Sequence, residues 1–272
     1  MGRSSRLAVV GLTCLSGAGC SLLVDATGLS GTAPPTTEAG SNGDGAVADS
    51  GSESSTSIDA GEAGLCDDTV LCDDFEGVST VPWKTLDDSV GSGGTLVRDT
   101  VRPRSGMRSL HCARTTPKTG RAFLRTSVAP ATLTCELDAF AEGVPAGENV
   151  EVLTLRRAVN GFAAYEPGYV FLRPSGAMLG EYKRFPDAGV VDNTVDLPLS
   201  GGGIGRWVHL KIVITGTSST LEASADDAPA VSRTLTLTES ASPPTEVEVG
   251  ITYGTNGATP TVFVDNVVCR DH

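Results

Sequence analysis

Aromatic and basic residues are scarce in this chain of 272 residues, which contains two Trp, four Tyr and seven Phe. Its 20 Lys and Arg are outnumbered by 33 Asp and Glu, so the formal net charge is -13. Proteins bind nucleic-acid backbones through a basic face, and this excess of acid excludes such a partner. The same shortage of Lys and Arg excludes a polybasic membrane patch, so we expect membrane contact only through an attached lipid.

Helical periodicity is also missing, since no window of about eleven residues keeps a 3.6-residue period. The 33 Gly and 15 Pro are typical of a β protein with many turns. Between residues 206 and 215 apolar and polar side chains alternate, with Leu210 and Ile212 on one face and His209 and Lys211 on the other. This alternation is the pattern of a half-buried strand.

Comparable segments recur along the chain, separated by turn residues about every ten positions, and predict a series of short strands. The predicted strands cover residues 68–76, 95–98, 108–114, 121–128, 132–140, 150–157, 169–173, 177–183, 194–199, 206–215, 219–225, 231–238, 246–253 and 261–269. Residues 169–183 are interpreted as a hairpin with a tight turn at Ser175 and Gly176. In the segment 246–253, Tyr253 is expected to share a face with the apolar Val249. We expect an all-β fold of two stacked antiparallel sheets.

The first twenty residues have the order of an export signal: Arg3 and Arg6, the apolar run Leu7–Leu15, small residues and then Cys20. The sequence LSGAGC that ends at Cys20 resembles a bacterial lipobox, which implies lipidation of this cysteine. Residues 1–20 are therefore predicted to be a lipoprotein-type signal peptide, and the protein to be exported and anchored in the outer membrane. Cleavage after Ala18, which would give a secreted protein, is the alternative.

Residues 21–65 carry seven Asp or Glu, no Lys or Arg, and no aromatic residue. Gly, Ser, Thr and Ala supply most of the rest. Such a segment cannot bury enough apolar surface to offset the entropy lost on ordering. We predict a disordered acidic linker here, followed by a β domain over residues 66–272.

The predicted β domain contains three short motifs, one near its start, one in its middle and one at its end. LCDDFEG at 71–77 is followed by Trp83, GRWVHLKIVI occupies 205–214, and VFVDNVV occupies 262–268. This order resembles the concanavalin A-like lectin/glucanase superfamily, which includes laminin-G-like domains. The resemblance implies a jelly-roll β-sandwich whose first and last strands are neighbours. That superfamily contains glycan-binding modules, glycoside hydrolases, polysaccharide lyases and adhesion domains, so the fold alone does not determine the function.

Five cysteines follow the linker, and an odd number leaves one thiol unpaired. If the resemblance places the first and last strands side by side, Cys269 pairs with Cys72 or with Cys66. Cys112 and Cys135 are then expected to form the second disulfide.

Glu136 and Asp138 are the strongest candidates for a catalytic pair, because on a strand they share one face. Glucanases of the resembled superfamily carry E-x-D-x-E or E-x-D-x-x-E, whereas this chain has a longer spacing between Glu136 and Glu142. On a regular strand these two glutamates would lie about 20 Å apart, too far for retaining glycosidase chemistry. A solvated strand face is the alternative interpretation.

Aromatic residues are concentrated between residues 156 and 185, together with several arginines. Tyr169, Phe171 and Arg173 share a predicted strand face, and Tyr182 follows on the next strand. Aromatic rings stack on sugar faces and Arg forms paired hydrogen bonds with carboxylates, so these four residues are predicted to bind a glycan, and Arg173 would suit an acidic one. Alternatively, some of the rings fill the core.

The resemblance also implies a structural calcium ion between the first and last strands, with Asp74, Glu76 and Asp265 as candidate ligands. Calcium takes six to eight oxygen ligands, which carboxylates supply. Local hydrogen bonding of these side chains at strand ends is the alternative.

Together these features predict an exported, lipid-anchored protein with a non-catalytic glycan-binding β-sandwich. An enzyme of the same fold, either a glycoside hydrolase or a polysaccharide lyase, is the first alternative. A structural or protein-interaction domain of the cell envelope is the second.

Overall fold

The computed structural model describes residues 66, 68–77, 81–84, 93–115, 121–129, 132–157, 165–185, 189–226, 228–238, 244–254, 257 and 259–271. The signal peptide predicted over 1–20, with Cys20, and the linker predicted over 21–65 lie outside these residues. In this part of the chain there is no helix long and apolar enough to cross a bilayer.

Fourteen β-strands account for the regular structure of the described residues. They are β1 (Leu71–Asp73), β2 (Gly94–Asp99), β3 (Ser109–Arg114), β4 (Ala122–Ser127), β5 (Leu133–Glu142), β6 (Val150–Arg157), β7 (Tyr165–Arg173), β8 (Gly176–Phe185), β9 (Gly189–Pro198), β10 (Trp207–Ile214), β11 (Ser218–Ala225), β12 (Val231–Thr236), β13 (Glu246–Gly254) and β14 (Thr261–Asp271). The strands agree closely with those predicted from alternation. The hairpin expected around residue 175 is present, with β7 and β8 paired and Arg173 opposite Gly176.

The strands form two antiparallel sheets. Sheet A has eight strands in the order β12-β11-β10-β5-β14-β3-β2, with β1 also paired to β14. Sheet B has six strands in the order β4-β13-β6-β7-β8-β9. The first and last strands are direct neighbours. The predicted fold, a two-sheet jelly roll of the concanavalin A-like type, is confirmed.

The core lies between the two sheets and is built from the alternating apolar positions. Along β10 the pattern of burial alternates strictly, with Val208, Leu210 and Ile212 buried. Sheet B contributes inward-facing residues such as Val170 and Leu172. Removing this apolar surface from water is the main driving force for closing the sandwich.

Asp73 connects β1 to its surroundings and explains the first sequence motif. One carboxylate oxygen accepts a hydrogen bond from the backbone N–H of Phe75 at 2.9 Å. The other accepts one from the indole Nε1 of Trp83 at 2.6 Å and pairs with the Arg98 guanidinium at 3.1 Å. The D-D-F-E-G…W pattern therefore describes a buried carboxylate and its donors, together with the fully buried ring of Phe75.

The three candidate calcium ligands do not form a metal site. Glu76 accepts the backbone N–H groups of Met107 and Arg108 at 2.6 and 2.7 Å. Asp265 accepts hydrogen bonds from the backbone N–H groups of Arg104 and Ser105, and Asp74 accepts one from the nearby backbone N–H of Glu76. Within the described ranges no three acidic, His or Cys side chains are grouped to hold a metal ion. These contacts agree with the alternative interpretation, local hydrogen bonding of the carboxylates, and the calcium ion stays a prediction.

The predicted disulfide pairing is wrong, although Cys72, Cys135 and Cys269 are all bonded. The disulfides are Cys66–Cys72 and Cys135–Cys269, and Cys112 is a buried free thiol. Strand order is the reason. β14 lies between β3 and β5, which places Cys269 directly opposite Cys135 and separates Cys135 from Cys112. Cys72 lies opposite Val268, and successive residues of a strand point to opposite faces, so Cys72 cannot face Cys269.

Replacing Asp73 by Ala should lower the free energy of unfolding by about 3 kcal/mol, because the Trp83 indole, the Phe75 N–H and Arg98 lose a buried charged acceptor. Asp74→Ala is the matched control, and it should cost about 1 kcal/mol or less because it removes one local hydrogen bond. Urea unfolding of both variants measures the difference. Equal losses in the two variants would contradict the role assigned to Asp73.

Candidate functional site

A cavity of about 380 Å³ opens on the face of sheet B that points away from sheet A. Val170 and Leu172 are buried in the core, so their neighbours Tyr169 and Phe171 project from the opposite face. The cavity is lined by Arg121, Glu151, Arg156, Glu166, Tyr169, Phe171, Tyr182, Arg184, Asp192, Thr252 and Tyr253.

Aromatic rings form one wall of this cavity. The ring centroids of Tyr169 and Phe171 are 5.3 Å apart, and those of Phe171 and Tyr253 are 6.3 Å apart, both in edge-on geometry. Gly180 lies opposite Tyr169 in the β7–β8 register, and a Cβ at this position would overlap the tyrosine ring. Three of the four predicted glycan-binding residues, Tyr169, Phe171 and Tyr182, therefore line the same cavity.

Arg173 is the fourth predicted residue, and it lies outside the cavity lining. It occupies the last position of β7, two residues or about 7 Å beyond Phe171. Its guanidinium pairs with Asp196 of β9 at 2.6 Å. The structure therefore does not bring Arg173 to the cavity with the other three, because strand alternation gave the correct face but not the position along it.

Register shifts bring Tyr253 into the cavity. The β6–β7 pairing shifts between Glu151 and Leu153, and the β13–β6 pairing shifts between Val249 and Tyr253. Such bulges reverse the direction in which the following side chains point. Tyr253 was expected on the core side with Val249, but it is 48% exposed and lines the cavity. Gly250, at the β13 shift, has a φ of 115°, which favours glycine.

Glu151 lies deep in the cavity and is only 7% exposed. Its Oε1 accepts hydrogen bonds from the hydroxyls of Thr154 and Thr252, the second at 2.7 Å. Burial raises the pKa of Glu151 to about 7, and the nearby negative charge of Glu166 contributes. The two threonine hydroxyls only partly offset this rise. The carboxyl therefore keeps its proton close to neutral pH.

Arg156 separates two other carboxylates on the same face. It contacts Glu166 at 2.6 Å and Glu248 at 3.1 Å, and Arg125 contacts Glu248 from the other side. Burial raises the pKa of Glu248 although both arginines favour its charged form. These ion pairs run across four strands of sheet B.

Tyr169 carries a hydroxyl that donates a hydrogen bond to Asp192. Burial, followed by this hydrogen bond and the charge of Asp192, raises the pKa of Tyr169 well above its usual range. The phenol is therefore protonated and held in a fixed orientation at the cavity wall.

The predicted catalytic pair lies elsewhere. Glu136 and Asp138 belong to β5 of sheet A, where Glu136 pairs with Lys211 at 3.3 Å. Asp138 accepts a hydrogen bond from Asn266 at 2.9 Å and lies 3.2 Å from His209 Nδ1. The hydrogen bond to Asp138 raises the pKa of His209. The structure brings neither carboxylate into the cavity. The alternative interpretation was a solvated strand face, and the two carboxylates are instead engaged by Lys211, His209 and Asn266.

Several cavity residues were missed by sequence reasoning. Glu151 left one trace in the sequence, since it is a single acid within the apolar run 150–155. Asp192 and Thr252 gave no comparable signal. Arg156 and Arg184 stood within the segment rich in aromatic residues but were not singled out.

No family model matches the sequence, and no curated protein matches it. Solved structures do match. The endo-β-1,4-glucuronan lyase of the fungus Trichoderma reesei gives a TM-score of 0.50 at 15% identity, over 70% of this chain and 92% of that one. The cellulose induced protein Cip1 gives a TM-score of 0.50 at 18% identity, over 74% of this chain and 97% of that one. Identities this low establish the shared jelly-roll fold alone.

Glu151→Gln should remove a pH-dependent loss of stability. Below about pH 4.5 the carboxyl is protonated in both the folded and the unfolded chain, so its ionisation has no effect there. As the pH rises to about 7, only the unfolded chain ionises, and wild type should lose about 3 kcal/mol relative to the variant. Urea unfolding across this range measures the difference. Glu222→Gln, an exposed position on sheet A, is the control, and a pH-independent difference for Glu151→Gln would contradict the assignment.

Proposed function

We propose that the protein binds an acidic polysaccharide in the cavity of sheet B. The observation that supports this most directly is the presence of aromatic rings and arginines in one concave site. The ring of Tyr253, which is 48% exposed, can stack on a sugar face, and guanidinium groups form paired hydrogen bonds with carboxylates. The volume of about 380 Å³ lies within the usual range of ligand sites.

The charges of the cavity favour an acidic ligand over a neutral one. Arg156 is already engaged by Glu166 and Glu248. Arg121 and Arg184 also line the cavity, are exposed, and make no ion pair with any residue in the described part of the chain. Two accessible cations at the rim of an aromatic site suit a sugar that carries carboxylates.

We also propose, from the sequence alone, that the protein acts outside the cytoplasm as a lipoprotein anchored through Cys20. The two disulfides support an oxidising compartment, since such bonds are rare in reducing ones. In this proposal the linker over residues 21–65 separates the β-sandwich from the membrane.

Alanine at Arg184 or at Tyr253 should weaken binding of uronic acid oligosaccharides about tenfold each, because a carboxylate partner or a stacking surface is lost. Both side chains are exposed, so folding should be unaffected. Arg173→Ala is the matched control and should bind as wild type, because Arg173 pairs with Asp196 outside the cavity. Calorimetry with uronic acid and neutral oligosaccharides of equal length measures the effect. Folded wild type that retains no glycan would favour a structural or protein-interaction role.

Cleavage of the bound polysaccharide is a second candidate function, supported by the contact between the Tyr169 hydroxyl and Asp192. Both elimination and hydrolysis need a proton donor for the leaving oxygen, and the Tyr169 phenol can serve as one if its hydrogen turns from Asp192 to that oxygen and is later replaced from solvent. If the protein cleaves its ligand, Tyr169→Phe should abolish the product while oligosaccharides still bind. Ultraviolet absorbance of unsaturated sugars and a reducing-end assay distinguish elimination from hydrolysis. A wild-type protein that binds the polysaccharide and forms neither product has a binding function only.

A further inference from the structure

Glu151 is an acidic residue of the cavity that pairs with no cation in the part of the chain that the structure describes. Its Oε1 accepts the hydroxyls of Thr154 and Thr252. Within the residues that the structure describes, its other oxygen makes no hydrogen bond and neither oxygen forms an ion pair. Since Glu151 lines the cavity, this second oxygen is the polar atom that a ligand can reach.

Charged groups face Glu151 from each neighbouring element of sheet B. Arg156 of β6 pairs with Glu166 and Glu248, and Arg125 of β4 pairs with Glu248. The titratable and charged groups around the cavity are Arg156 on β6, Glu166 and Tyr169 on β7, Tyr182 and Arg184 on β8, Asp192 on β9, Glu248 and Tyr253 on β13, and Arg121 and Arg125 at β4. Glu166 and Glu248 already engage Arg156, and Asp192 accepts a hydrogen bond from Tyr169, so none of these groups supplies Glu151 with a countercharge.

We propose that Glu151 contacts the acidic ligand as a neutral carboxylic acid, so that ligand binding is coupled to the uptake of one proton. This inference rests on the proposed function. The free oxygen of Glu151 would donate its hydrogen to an oxygen of the ligand, and Oε1 would stay with the two threonines. The proton comes from solvent and stays on Glu151, so no other group changes its charge.

The presence of an anion in the cavity strengthens this coupling. An ionised Glu151 would be a further negative charge beside the ligand carboxylate, whereas its neutral form supplies a hydrogen-bond donor. The ligand and the proton therefore favour each other, and this coupling is reciprocal. Because burial raises the pKa of Glu151 to about 7, the coupling affects affinity above neutral pH.

Calorimetry of the full chain with a uronic acid oligosaccharide tests this inference. Wild-type affinity should be constant below about pH 6 and should fall about tenfold per pH unit above about pH 8. Titration in buffers of different ionisation enthalpy should show uptake of up to one proton. Glu151→Gln keeps a neutral donor, so it should bind with the low-pH affinity of wild type, without this fall and without proton uptake. Glu222→Gln is the control and should behave as wild type.

Two kinds of failure can be told apart. If the oligosaccharide binds and Glu151→Gln shows the same pH dependence as wild type, or wild type takes up no proton, the coupling is overturned and the proposed binding function stands. If Glu151→Gln loses binding at every pH, the neutral-donor role is overturned in the same way. If no uronic acid ligand binds either protein at any pH, the proposed function fails and the inference fails with it.

Discussion

Two register shifts that meet at β6, one in its pairing with β7 and one in its pairing with β13, create the candidate site. With an unbroken pleat, alternation would carry Tyr253 to the core side of its strand, together with Val249. The shifts instead pair Tyr253 with Glu151 on the outer face of sheet B, while Val150 and Ile251 stay buried. A one-residue shift moves every following side chain to the other face of a strand. The composition of the cavity therefore depends on two local irregularities in an otherwise regular sandwich.

The cavity contains buried acids, and the sandwich must compensate for them. Taking a carboxylate out of water costs several kcal/mol unless it is paired or neutral. Sheet B uses both solutions. Glu248 lies between Arg125 and Arg156, whereas Glu151 keeps its proton to about pH 7. The burial of apolar side chains between the sheets offsets the free energy lost by burying these carboxyl groups. The sandwich can therefore hold buried carboxyl groups that an isolated loop could not.

Regular strands made much of this molecule predictable. Alternation placed Leu210 and Ile212 in the core, and it placed Tyr169 and Phe171 on a common outward face because β7 is regular there. The position of Tyr253 could not be predicted, since a bulge leaves no clear mark in the local pattern.

Long-range pairing was equally inaccessible from the sequence. The partner of Cys135 depends on which strand lies beside β5, a property of sheet order that the separation of cysteines along the chain does not contain. The same limit applies to Arg173, whose ion pair with Asp196 requires knowledge of β9.

The buried acids of this protein differ in the groups from which they accept hydrogen bonds. Asp73 accepts hydrogen bonds from an indole N–H and a backbone N–H, and Asp265 accepts hydrogen bonds from three backbone N–H groups. Each of these carboxylates therefore holds chain segments in place. Among the described residues, Glu151 accepts hydrogen bonds only from the hydroxyls of Thr154 and Thr252 and from no loop backbone. An apolar residue at this position would avoid the desolvation of a carboxyl. A buried acid that holds no loop, with a raised pKa and one oxygen open to a cavity, has properties that are common in functional groups. For this reason our proposal places the chemistry of the site on sheet B and on Glu151.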